Sequence, residues 1–157
     1  MILGAIVFAL ALTQTSSAGP ACDTDGSTIA LNACAQQDLD IEQARMEHYL
    51  AVAREAARRG DLSSAEYGGP PTQQVAYLNA SQAAWIAYAD ITCAGVHDQY
   101  AGGSIRTLMH LGCLRQMTHE RTQVIWRDHL TYADSTPPVL PEPVEPASGP
   151  LPEAVWP

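Results

Sequence analysis

Two helical segments joined by a glycine-containing loop, with a cysteine on each side of that loop, constrain this chain more than any other feature. Val75, Leu78, Gln82, Trp85, Ile86, Ala89 and Cys93 recur at spacings of three and four. That spacing predicts one face of an α-helix. Tyr100-Ala-Gly102-Gly103-Ser104 follows, and then Cys113. The glycine pair predicts backbone at positive φ. Ser104 is a fair N-cap for the next helix, because its hydroxyl can accept from a free backbone N–H.

Three helices account for most of the chain, and the predicted class is all-α, a small three-helix bundle. The first runs over 28–59, where good helix formers (Ala, Glu, Gln, Leu, Met, Arg) dominate. Gly60-Asp61 is expected to end it, and Gly68-Gly69-Pro70-Pro71 lies in the following loop. The second covers 72–93, and a connector over 94–103 holds His97, Asp98 and Tyr100. The third covers 104–133, with Leu108, Leu111, Leu114, Met117, Arg121, Val124 and Ile125 near one face. Over 134–157 eight of 24 residues are proline and three are Glu. Proline blocks helix interiors, so this segment is expected to be a disordered acidic tail. Its last apolar pair, Val155-Trp156, is a possible docking handle, although composition favours a plain tether.

The N-terminus predicts export. Residues 2–12 are almost wholly apolar, and Ser16-Ser-Ala18 is a small-x-small cleavage site, with a second option after Ala21. The apolar run is too short to span a bilayer, which takes about 20 residues. The domain proper is then 22–133. Gly19-Pro20-Ala21 does not resemble the run before a lipidated Cys22. Four cysteines, Cys22, Cys34, Cys93 and Cys113, predict two disulfides in an exported chain. Three pairings are open. Antiparallel first and second helices would favour Cys22–Cys93 with Cys34–Cys113.

The net charge is −9, and all 17 acidic and 8 basic residues follow the signal segment. That argues against nucleic acid, whose affinity comes from neutralising phosphates, and favours a cationic partner through steering. The periplasm or the medium is the expected location, with no membrane span.

The remaining constellations favour structure over chemistry. Trp85 with Gln82 and Tyr88 reads as core packing rather than a ligand site. Asp90 and Arg121 suggest an ion pair between the second and third helices. Cys93-x3-His97 and His110-x2-Cys113 resemble a Cys2His2 zinc set, but exported cysteines more often form disulfides, so no metal or cofactor is expected. His48 is expected to face solvent. Ser104 lacks a nucleophile-elbow pattern, and no catalytic residue is expected. The loop of Tyr100, Gly102, Gly103, Ser104 and Arg106 is the best candidate for protein recognition, because it is preorganised between two helices.

The string Leu78, Gln82, Trp85, Tyr88, Asp90, Cys93, Gly102, Gly103, Ser104, Cys113, Thr118 and Arg121 resembles the LprI-type lysozyme inhibitor family of bacterial envelope proteins. Leu31-Asn32-Ala-Cys34-Ala35 resembles the start of the family domain, and the likeness covers about residues 22–130. Gln43, Met46, Glu47 and Ala89 stand where the family pattern usually has other residues. The resemblance implies a non-enzymatic protein that binds a lysozyme stoichiometrically, the partner being a basic lysozyme. Its motif residues Gln82, Trp85, Tyr88, Asp90, Thr118 and Arg121 are read as chiefly structural. The alternative is an envelope scaffold or interaction module that leaves lysozyme untouched.

Overall fold

The computed structural model describes residue 22 and residues 26–145 and 151–157. The predicted signal segment lies outside them. The described residues form three α-helices, α1 (Thr28–Glu66), α2 (Gln74–Gln99) and α3 (Arg106–His129), and no strand. None of these helices is long and apolar enough to cross a membrane.

α1 starts at Ser27, whose hydroxyl accepts from the Ala30 N–H at 3.2 Å. It continues past the expected stop at Gly60-Asp61, and both residues serve the crossing with α2 instead. A Cβ on Gly60 would come within 2.6 Å of Gln74 Nε2. The Asp61 carboxylate accepts from the Thr72 hydroxyl at 2.6 Å and from the backbone N–H groups of Gln74 and Val75 at 3.0 and 3.3 Å. It therefore caps the next helix, whose own N-cap residue makes no side-chain bond. These bonds hold its pKa below the ordinary carboxylate value, the Thr72 hydroxyl contributing most. α1 ends beyond Glu66, where Gly68 takes φ +69°, a left-handed conformation suited to glycine.

The core forms where α1 packs on α3. Met46, Tyr49, Leu50 and Ala53 of α1 recur at three and four and meet Leu78 of α2 and Ile125 of α3. α2 leans chiefly on α3. Its buried positions are Leu78, Gln82, Ala89 and Cys93. Ile86, expected on that face, is 47% exposed. α2 also runs six residues beyond Cys93, so His97 and Asp98 are helical rather than part of a connector.

The disulfides join neighbours in sequence, Cys22–Cys34 and Cys93–Cys113. This corrects the expected pairing of Cys22 with Cys93 and Cys34 with Cys113. Cys93 precedes the end of α2, and Cys113 follows the start of α3, by nearly equal lengths. The hairpin brings their Cα atoms to 5.6 Å. Cys22 sits beside the first turns of α1, its Cα 5.5 Å from that of Cys34.

The described part of 134–157 has no helix or strand, but it is docked, which differs from the disordered tail expected. Val139 and Leu140 are each 1% exposed and belong to the core. The Val139 N–H donates to Leu130 O at 2.9 Å, and the Val155 N–H donates to Val139 O at 2.7 Å. Trp126 Nε1 donates to Leu140 O at 2.9 Å, and the Tyr49 hydroxyl donates to Pro141 O at 2.8 Å. Arg45 bonds Val144 O, and the ring of His48 meets Pro152 O at 2.6 Å, so His48 does not simply face solvent. Val155-Trp156 is a docking handle for its own chain: Trp156 packs against the core, and the Arg59 guanidinium lies 3.9 Å from its ring centroid. Proline density argues against order, but two buried apolar residues and donors from α1 and α3 outweigh it.

Candidate functional site

The motif residues meet around Gln82. This side chain is 4% exposed and sits where all three helices converge. Its oxygen accepts from Arg121 Nε at 2.9 Å, and its amide donates to the Met46 sulfur at 3.6 Å. Arg121 Nη2 donates to the Ser81 hydroxyl at 2.9 Å. The expected Asp90–Arg121 ion pair is therefore replaced by a fork from Arg121 to Gln82 and Ser81. Asp90 lies two turns further along α2 and is exposed. Burial pushes the Arg121 pKa down, partly opposed by Asp128; a guanidinium still remains charged near neutral pH. The Thr118 hydroxyl donates to Leu114 O at 2.7 Å within α3. Trp85 is half-buried and packs against the core, whereas Tyr88 is 63% exposed.

Beside this junction lies a groove of about 310 Å³. α1 contributes Gln43, Met46 and Glu47, α2 contributes Trp85, Ile86, Ala89 and Asp90, and α3 contributes Leu114 and Thr118. Trp85, Asp90 and Thr118 were singled out from the sequence. An acidic face of α1 was a contact candidate from the sequence, but Gln43, Met46 and Glu47 were not singled out for it. Their signal was present nonetheless: residues 43, 46 and 47 share one helix face, and they fall where the sequence departs from the family pattern.

The loop expected from the sequence to serve recognition projects from the end of the α2–α3 hairpin. Gly102, Gly103, Ser104 and Arg106 are exposed, and Tyr100 is half-buried. Neither Gly102 nor Gly103 has positive φ. Ser104 does not cap α3; the cap position is Ile105, with no side-chain bond. The loop is held instead by backbone bonds, from Gly103 N–H to Tyr100 O at 2.9 Å and from Ala101 N–H to Asp98 O at 3.1 Å. The Cys93–Cys113 bridge staples the hairpin behind it. The loop lies about 15 Å along α2 from Asp90, by helical rise, so loop and groove are separate surfaces.

Cys93 and Cys113 are bonded to each other and offer no thiolates to a Cys2His2 set. His110 Nδ1 lies 3.0 Å from Cys93 O, and its ring meets His97 edge-on. The one group of metal-type donors found among the described residues is Glu42, His119 and Glu145, with donor atoms within 4.8 Å of one another. Glu145 already pairs with Arg115 at 2.8 Å, and His119 Nδ1 faces Glu42 at 3.7 Å. That arrangement reads as a clasp between α1, α3 and the C-terminal segment.

The family described as Lysozyme inhibitor LprI matches residues 20–124, a stretch that includes both disulfides and all the motif residues. An uncharacterized protein of Rhizobium meliloti (strain 1021) is 32% identical over 108 residues, covering 66% of this chain and 74% of the relative. No solved structure matches the chain. With both sequential disulfides and the Gln82–Arg121 junction inside the matched span, this chain belongs to the LprI lysozyme inhibitor family.

Proposed function

We propose that this protein is exported to the bacterial envelope or medium and inhibits a basic lysozyme by forming a stoichiometric complex, without catalysis. Membership of the lysozyme inhibitor family carries the reading. The net charge of −9 and the two disulfides support it. Opposite net charges speed encounter, and a stapled bundle loses little conformational entropy on binding. An inhibitor of this kind needs no reactive group, only a surface that obstructs the enzyme's sugar-binding cleft. The loop of Tyr100, Gly102, Gly103, Ser104 and Arg106, together with the acidic side of α1, is the proposed contact region. The Arg106 guanidinium is exposed and bonds to none of the described residues, so it is available to a partner.

The test is inhibition of a basic animal-type lysozyme by the oxidised, exported protein at low and high salt. One-to-one inhibition that weakens with salt is expected. Replacing Tyr100 and Arg106 with Ala should weaken it without lowering helicity, and an unchanged affinity would remove the loop from the contact region. Absence of inhibition and of binding at low salt would leave the scaffold reading instead.

A further inference from the structure

Glu47 and Asp90 face the groove from α1 and α2, and neither carboxylate bonds to any described residue. Cations within the chain are engaged elsewhere. Seven of the eight arginines bond a side chain or a carbonyl, as Arg45, Arg54, Arg115 and Arg121 do. The eighth, Arg106, opens α3 about two turns before Leu114. The groove thus has two uncompensated negative charges in a chain that is already strongly acidic.

Between the carboxylates the surface is apolar. Met46 is 5% exposed, Trp85 is half-buried, and Leu114 comes up from α3. A long aliphatic stem with a cationic head matches that sequence of surfaces. Lys and Arg bury their stems on apolar ground and keep their heads polar. An indole attracts a cation over its face, and carboxylates accept the head's N–H groups in charge-assisted bonds. The volume of about 310 Å³ is at the small end for ligand pockets. It suits one side chain better than a run of sugars.

We infer that the groove between Glu47 and Asp90 is a socket for one arginine or lysine side chain presented by a basic partner protein. The inference rests on the lysozyme-binding reading only for the partner's identity; the socket's chemistry stands apart from it.

Two titrations of the oxidised, exported protein separate the two ideas. In the first, acetyl-arginine amide is added and backbone amide and Trp85 indole shifts are followed. Saturable shifts confined to the groove are expected in the native protein, with none in Glu47→Gln/Asp90→Asn. No groove shifts in the native protein, or equal shifts in the variant, would overturn the socket. In the second, binding of a basic animal-type lysozyme is measured. The double variant should bind roughly tenfold more weakly or worse, since close charge pairs across interfaces couple strongly. Equal, measurable binding by native and variant protein would overturn lysozyme as the socket's partner and leave the inhibitor reading intact. Groove shifts without any lysozyme binding would support the socket and overturn lysozyme as its partner. Both substituted side chains are exposed and unbonded, so unchanged helicity and melting temperature are the internal control.

Discussion

Arg121 of α3 donates to the Gln82 side-chain oxygen of α2 at 2.9 Å, while the Gln82 amide donates to the sulfur of Met46 on α1. One buried amide therefore ties the three helices together, and Met46 and Trp85 on either side of it line the groove. The junction gives the motif a structural role that also shapes a surface.

Gln82→Ala should destabilise the fold, because it leaves the partly buried Arg121 donor without its acceptor. Loss of a buried partner costs about 1–3 kcal/mol. Asp90→Asn, at an exposed position with no bond, should leave stability unchanged. Urea unfolding of the two variants checks this contrast; equal effects would mean that the junction is not where the motif acts.

Removing 134–157 should lower the melting temperature and increase binding of a hydrophobic dye, since Val139 and Leu140 fill the core. The single change Leu140→Ala should cost about 2–5 kcal/mol, the range for truncating a buried leucine. Circular dichroism melts of both proteins are the measurement. A truncated chain as stable as the full one would mean that the segment is not docked in solution.

Replacing Cys93 and Cys113 with Ala should destabilise the protein by roughly 3 kcal/mol, from the chain entropy of a bridge closing a loop of 20 residues. Peptide mapping of the oxidised protein should recover Cys22 with Cys34 and Cys93 with Cys113. Any fragment joining Cys22 to Cys93 would contradict the hairpin arrangement.

Acid should act through Asp61 at the α1–α2 crossing. Its folded pKa lies below the ordinary 3.8, so its contribution is present above that value. As pH falls through the folded pKa, the contribution is lost, because the unfolded chain takes up the proton more readily. Glu55, held at about 2 by Arg58 and Arg59, follows the same sign. Asp61→Asn should therefore melt earlier than the native protein at neutral pH, with the difference shrinking below pH 3.8. Melting curves across that range provide the check. A difference independent of pH would point to a role for Asp61 other than its charge.

The second and third helices were legible in the chain because their apolar residues recur along one face, and the first because good helix formers dominate it; both signals are local. Two disulfides were legible from an even cysteine count. The motif from Leu78 to Arg121 was enough to assign the family. Tertiary structure decided the rest. Which cysteines pair depends on where helix ends meet, and no spacing reports that. Arg121 chose Gln82 over Asp90 because Gln82 lies one helix turn from Leu78, on the buried face, while Asp90 points outward. Asp61 was read as a helix stop, yet it caps α2, since capping across a crossing requires two distant segments to converge. Proline composition matches the absence of helix and strand over the described part of the C-terminal segment. It could not report that Val139 and Leu140 find an apolar seat between α1 and α3, because that seat exists only once the helices have packed.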